Sequence, residues 1–251
     1  MLLDKNAKAA IEQALQMAGV SLDVVHTQHP GHGETLAREA LHDGLRHIVA
    51  VGGDGSVNEI VQGVLTAGLP DTREVTLAVA PQGTGNDWAR SLGITRDPSH
   101  IADVLAAGRT MLHDVGFIDF PEAGGTRRWF INVAGAGYDA WVSERVPRPV
   151  PSAFTYLRVA LNGLATYRST EFRITAGDET ISGRLLLAFV ANAQYCGNRM
   201  HVAPTARMDD GLLDVLAVQE LSLLQVLPKL AKLYRGRILG DRAVRHLRAS
   251  T

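Results

Sequence analysis

The chain has 251 residues, 46% of them hydrophobic, and its 25 Lys+Arg against 26 Asp+Glu leave a net charge of -1. That length can bury one large core or two modest ones. Near-neutrality, without a basic stripe interleaved with aromatics, argues against a nucleic-acid partner, and the single cysteine, Cys196, excludes an internal disulfide framework and suits a reducing compartment.

Asp4, Lys5 and Lys8 stand where a secretion signal needs an apolar core. No apolar run reaches the ~20 residues that span a bilayer. A cytoplasmic protein is expected, soluble or resting on a membrane surface. Residues 4–18 have helical periodicity (Ala7, Ile11, Ala14, Leu15) and stop at Gly19. Residues 22–26 then read as a strand, 34–42 as a helix and 46–51 as a second strand. That strand enters Gly52-Gly53-Asp54-Gly55-Ser56-Val57-Asn58-Glu59, and a helical pattern follows at once through Ile60, Val61, Val64 and Leu65.

Glycines let main-chain N–H groups approach an anion, and a helix N-terminus adds its dipole and free donors. The run therefore reads as a phosphate cradle, with Asp54 and Ser56 placed to hold a metal ion and a phosphate oxygen. It matches neither common phosphate-loop spacing, and a plain tight turn is the competing reading. A second unit of the same kind follows: a strand over 75–80, then Pro81-Gln82-Gly83-Thr84-Gly85-Asn86-Asp87, then a helical Trp88-Ala89-Arg90-Ser91-Leu92. Two such units in succession place both loops at the carboxyl ends of parallel strands, where open α/β sheets bind ligands. A helix over 99–107, stopped by Gly108, closes a parallel three-layer α/β region.

Beyond about residue 110 the texture changes to short strands, at 111–117, 129–133, 171–175, 185–191 and 213–218, separated in places by Gly124-Gly125 and Gly177-Asp178. That pattern reads as an antiparallel β domain. Pro147, Pro149 and Pro151 form a stiff connection, and residues 154–167 read as a helix between strands. Its apolar residues (Phe154, Tyr156, Leu157, Val159, Leu161, Leu164) either fill a core or line an acyl-chain cleft. Leu221, Leu224, Leu227 and Leu230 share one face of a late helix and read as core. Lys229, Lys232, Arg235, Arg237, Arg242, Arg245 and Arg248 gather near the carboxyl end, as a solvated face or an anionic-membrane contact.

Taken together, the two glycine loops, Phe130-Ile131-Asn132-Val133-Ala134-Gly135-Ala136-Gly137-Tyr138-Asp139-Ala140, and Ala203-Pro204-Thr205-Ala206-Arg207-Met208-Asp209-Asp210-Gly211-Leu212-Leu213-Asp214 resemble the diacylglycerol kinase catalytic family, in its bacterial lipid kinase branch. The resemblance implies a Rossmann-like amino-terminal domain, assigned to 1–114, a β-sandwich domain, assigned to 115–251, and ATP in a cleft between them. It implies that Gly52, Gly53, Asp54, Gly55, Ser56, Val57 and Asn58 wrap the ATP phosphates. Thr84 would donate its hydroxyl to the nucleotide, and Thr27 matches a threonine near it. It also implies a structural magnesium held by the Asp210 carboxylate and the main-chain carbonyls of Arg207 and Leu212, a donor set that suits this hard cation. Asp54 is the expected catalytic carboxylate. Glu59 either favours its helix dipole, joins a polar network or takes part in catalysis. His29 and His32 read as a solvated loop, with a metal pair as the alternative.

The resemblance leads to the expectation that the family's opening strand ending in Asn-Pro is missing ahead of Met1 and that the segment carrying the general base would fall beyond Thr251. The expected activity is ATP- and magnesium-dependent phosphorylation of a hydroxyl on diacylglycerol or a similar lipid, in lipid metabolism. A truncated, catalytically weak or inactive nucleotide- or lipid-binding relative is the alternative, with an NAD kinase ranked below it. Unpaired sheet edges would favour self-association, so a homodimer is among the expected states.

Overall fold

The register between the first two strands decides where everything else in the amino-terminal half sits. In the computed structural model, which describes residues 23–147 and 153–250 and a few positions before them, β1 (His47–Gly52) and β2 (Thr76–Pro81) pair in parallel. Their register runs from His47 opposite Thr76 to Gly52 opposite Pro81. Both strands therefore end at the same level, and both glycine loops leave side by side.

The chain divides into two compact units, one up to Ile131 and one from Asn132. In the first, α1 (His32–His42) and α2 (Asp54–Thr66) cover one face of the β1–β2 pair. Leu41, Val64 and Ala67 pack there with Ile48, Ile60 and Val75. The two helices approach closely at Gly63, where a Cβ would lie 2.4 Å from the Glu34 carbonyl oxygen. On the other face, Ile101 of α4 (Pro98–Ala107) packs against Ala80 and Val49. Consecutive residues Ile48 and Val49 thus serve opposite layers, as strand alternation requires. Between β2 and α4 lies the short helix α3 (Asp87–Ser91). A hairpin of β3 (Gly116–Phe120) and β4 (Thr126–Phe130) completes this unit, so the sequence-derived division at 114/115 falls just ahead of a hairpin that stays with the first unit.

The second unit is built on β7 (Glu179–Ala191), a 13-residue strand. Its first half pairs with β6 (Thr170–Ala176), and its second half with β5 (Val133–Gly137) and β10 (Leu213–Gln219). With β11 (Val244–Ala249) outside β10, the sheet is antiparallel throughout. Both faces carry a buried cluster: Leu216 and Phe189 pack with Val202, Ala203 and Ile238, whereas Val215, Ala217 and Leu247 pack with Ile181 and Leu185 of the same sheet. Helix α5 (Tyr138–Arg145) follows β5, α6 (Ala153–Thr166) precedes β6, and α7 (Leu223–Tyr234) follows β10. A short hairpin joins β8 (Tyr195–Cys196) to β9 (Met200–His201). The fold is a mixed α/β unit followed by an antiparallel β unit, as the sequence implies.

Several local expectations are corrected. Residues 23–26 have no regular structure, and Val24 and Val25 are exposed, without a strand partner among the described residues. The strand expected over 111–117 begins only at Gly116. The run over 129–133 is not one strand: the chain breaks at Ile131 and Asn132, where the Asn132 carbonyl accepts from the Asn192 and Ala193 amides. Leu221 precedes α7, and Leu224 is 81% exposed, so Leu224 is not core. The helix expected over 4–18 falls mostly outside the described residues, as do Pro149 and Pro151.

Candidate phosphate-binding site and the Asp210 turn

Both glycine loops meet at their first turns. The Gln82 amide donates to the Gly52 carbonyl at 2.8 Å. A Cβ at Gly83 would lie 2.5 Å from Gly53 Cα, and one at Gly53 would lie 2.9 Å from Gly83 Cα. Only two glycines allow the loops this near. Asn86 fixes the second loop from within: it takes the left-handed conformation (φ 52), its Oδ1 accepts from the Gly83 amide and its Nδ2 donates to the Gly83 carbonyl, each at 2.8 Å. Arg96 donates to the same carbonyl. Asparagine tolerates this backbone region better than most residues.

Asp54 ties the two loops through its carboxylate. Its Oδ1 accepts the Trp88 amide at 3.0 Å, so the first residue of α2 holds the start of α3. Its Oδ2 faces Gly85, as does Oδ2 of buried Asp87. Two carboxylates thus border one small space beside a loop of main-chain donors, an arrangement that can take an oxygen-ligated cation and its phosphate. Trp88 is itself held by a hydrogen bond from its indole N–H to His113 Nε2 at 2.9 Å.

The expected phosphate-binding residues separate into two groups. Gly52, Gly53, Asp54, Gly55 and Ser56 lie at the loop and first turn of α2, where the leading amides have no partner within the helix. Thr84 is exposed at the tip of the second loop. Val57 is different: its side chain is buried and its amide donates to the Gly53 carbonyl at 3.1 Å, so it serves the helix and the core. Asn58 is exposed and its Oδ1 accepts from Gln62. Thr27 is exposed in the segment leading to Gly31.

Glu59 acts on a neighbouring helix. Its two oxygens accept from the amides of Gly31 (2.9 Å) and Gly33 (3.0 Å), binding the amino end of α1 to α2. That is a capping role across helices and it uses both carboxylate oxygens. His29 and His32 stack at 4.8 Å, with His32 Nδ1 accepting from the Gln28 amide and His29 Nδ1 bonded to the Pro30 carbonyl. These local bonds favour the solvated-loop reading over a metal pair. Gln62, nearly fully buried, was not marked by any sequence signal. Its side-chain amide donates to the Trp129 carbonyl (2.8 Å) and accepts from the Trp129 amide (3.1 Å), docking β4 on α2.

In the second unit, the turn carrying Arg207, Asp209, Asp210 and Leu212 leads into β10. Asp210 Oδ1 accepts from the Leu212 amide at 3.1 Å, and its Oδ2 is bonded by Arg248. Arg207 pairs with Asp209 at 3.2 Å. Asp214, fully buried, accepts from the Thr205 hydroxyl (2.6 Å), His246 Nε2 (2.6 Å) and Arg248 Nε (3.2 Å). Among the described residues no three or more His, Cys, Asp or Glu side chains cluster as metal ligands. A site with one carboxylate and main-chain carbonyls does not require such a cluster. Each oxygen of Asp210 also keeps a second acceptor position.

Comparison with known proteins shows the family. Residues 3–118 match the diacylglycerol kinase catalytic domain, and residues 132–251 match the YegS C-terminal NAD kinase beta sandwich-like domain. The chain is 29% identical to a diacylglycerol kinase of Bacillus subtilis, over 98% of this chain and 79% of that protein. It is 31% identical to a probable lipid kinase YegS-like of Chromohalobacter salexigens, over 85% of this chain and 67% of the relative. A crystal structure of a diacylglycerol kinase from Bacillus anthracis superposes with a TM-score of 0.72 at 23% identity, over 97% of this chain and 78% of that one. The chain belongs to the bacterial diacylglycerol kinase catalytic family, a family of lipid kinases.

Proposed function

We propose that this chain is an ATP- and magnesium-dependent lipid kinase that phosphorylates a hydroxyl of diacylglycerol or a similar lipid. The contact between Gly53 and Gly83, with Asp54 bridging the loops, is the observation that carries this reading. Phosphoryl transfer depends mainly on positioning and on neutralising phosphate charge. The main chain at Gly52, Gly53, Gly55 and Ser56 would receive the phosphates, assisted by the α2 dipole. The Thr84 hydroxyl would hold the nucleotide, with Thr27 near it. Asp54 is the proposed catalytic carboxylate, and with Asp87 it would hold magnesium. When bound, that ion neutralises the phosphate oxygens. A second, structural magnesium is assigned to Asp210 with the carbonyls of Arg207 and Leu212.

The test is transfer of labelled γ-phosphate from ATP to lipid hydroxyls in mixed micelles, with and without magnesium. Labelled phosphatidic acid, lost on chelation and in Asp54→Asn, is the expected result. Magnesium-ATP binding in calorimetry without transfer to any lipid would reduce the chain to a nucleotide-binding relative. Formation of NADP from NAD would reassign it.

A further inference from the structure

The donor that orients Asp54 belongs to a helix too short to hold itself. The Trp88 amide bonds Asp54 Oδ1 at 3.0 Å, but α3 has only 5 residues. Isolated helices shorter than about 12 residues are marginal in water, so its place depends on what its side chains hold. Trp88 is the largest of its buried side chains, only 4% exposed.

An indole N–H can only donate, and once buried it requires an acceptor. His113 supplies one, with Nε2 at 2.9 Å from the indole nitrogen. Nε2 therefore carries the lone pair, and the ring proton sits on Nδ1, 2.6 Å from the Asp114 carbonyl oxygen that accepts it. That second bond fixes the tautomer and the orientation of the ring. A line of bonds thus runs from a main-chain carbonyl ahead of β3, through His113 and the Trp88 indole, to the Trp88 amide and Asp54. Every member lies in the first unit. A phenylalanine at position 88 would fill most of the same space without an acceptor, so the indole and imidazole add a directional constraint to apolar contact.

We propose that His113 is a positioning residue for Asp54: through the Trp88 indole it fixes the amide that aims the carboxylate. Phosphoryl transfer gains chiefly from placement, and a misplacement of about 1 Å can cost roughly 10²-fold. The effect on transfer rests on the lipid-kinase reading, whereas the coupling from His113 to the Trp88 amide can be read without any reaction.

The full chain holds 3 tryptophans, and isotope labelling of tryptophan gives each an amide and an indole signal in nuclear magnetic resonance. Those of Trp88 are the pair that Trp88→Phe removes. Its amide reports the bond to Asp54, and its indole reports the bond to His113. His113→Ala is expected to move both signals. His113→Gln, whose side-chain oxygen can accept from the indole, should return both toward the parent. In transfer from magnesium-ATP to diacylglycerol, His113→Ala and Trp88→Phe should each lower kcat about tenfold, with either KM changing less than about twofold. The double variant should be no slower than the slower single one, because the two residues act as a unit. Trp88→Phe nearly conserves volume, so a fall in its kcat at an unchanged urea midpoint separates placement from unfolding.

An indole signal that moves in His113→Ala while the Trp88 amide stays in place would overturn the proposal, whether or not the chain transfers phosphate. So would losses that multiply in the double variant, a raised KM at unchanged kcat, or His113→Gln no better than His113→Ala. Absence of transfer in the parent refutes the kinase reading alone, and the two Trp88 signals then decide the positioning role.

Discussion

Asp54 and Asp214 are the same residue type held in opposite ways. Asp214 has no exposed surface, and its two oxygens are engaged by Thr205, His246 and Arg248. Asp54 is half-buried, accepts one main-chain amide and turns its other oxygen toward Gly85. A carboxylate saturated inside the protein joins strands and turns, here β10, β11 and the segment before them. Under the proposed function, one left with acceptor capacity at a helix start, beside glycine amides, would receive a group that arrives from solution. Distance from solvent and completeness of hydrogen bonding separate structural from functional acids more sharply than residue type does.

Stability should break first at Asp214. Asp214→Ala removes a buried partner of a guanidinium and an imidazole, and is expected to cost about 3–5 kcal/mol, read as a lower midpoint in urea unfolding. Asp54→Asn is the converse case. Its Oδ1 can still accept the Trp88 amide, so unfolding should move little while phosphoryl transfer falls roughly 10²–10³-fold, on the scale of a lost charge-stabilising group. If Asp54→Asn destabilises the fold as much as Asp214→Ala does, the contrast between the two acids fails. Gly83→Ala sits between them. Its Cβ meets the Gly53 backbone at 2.5 Å, and forcing the loops apart is expected to cost about 1–3 kcal/mol and to weaken magnesium-ATP binding in calorimetry.

Much of this arrangement was legible in the sequence because its signals are local. Apolar runs stopped by glycine marked β1, β2, α2 and α4; Gly53 and Thr84 fell on the loops expected of them, while Asp54 to Ser56 already open α2. What stayed hidden depends on distant partners. Residues 129–133 read as one strand because nothing nearby shows that Asn132 caps the far end of β7. Trp88 enters the site through a main-chain amide, which any residue supplies, and Asn86 through a left-handed backbone. Asp214 stood in a quoted motif, yet His246 and Arg248 reach it from 32 and 34 residues away. For Glu59 the sequence left a dipole, polar-network or catalytic role open, and its bonds to α1 make it part of a polar network.

A smaller, pH-dependent effect sharpens the same contrast at a third acid. Asp241 is buried, and hydrogen bonds from Lys229, Lys232 and the Ala243 amide hold its carboxyl well below the usual carboxylate range. Because its pKa is depressed on folding, the stabilisation is present above the unfolded value of about 4 and is lost as pH falls toward the folded one. Asp241→Asn should therefore lower the melting temperature at neutral pH, by an amount corresponding to about 1 kcal/mol, since Lys232 is half-exposed and its pairing is screened. The gap between parent and variant should narrow steadily below about pH 4. Melting curves from neutral to acid pH provide the check: a gap that stays constant would mean that Asp241 stabilises through shape and neutral hydrogen bonds, not through the charge that its two lysines neutralise.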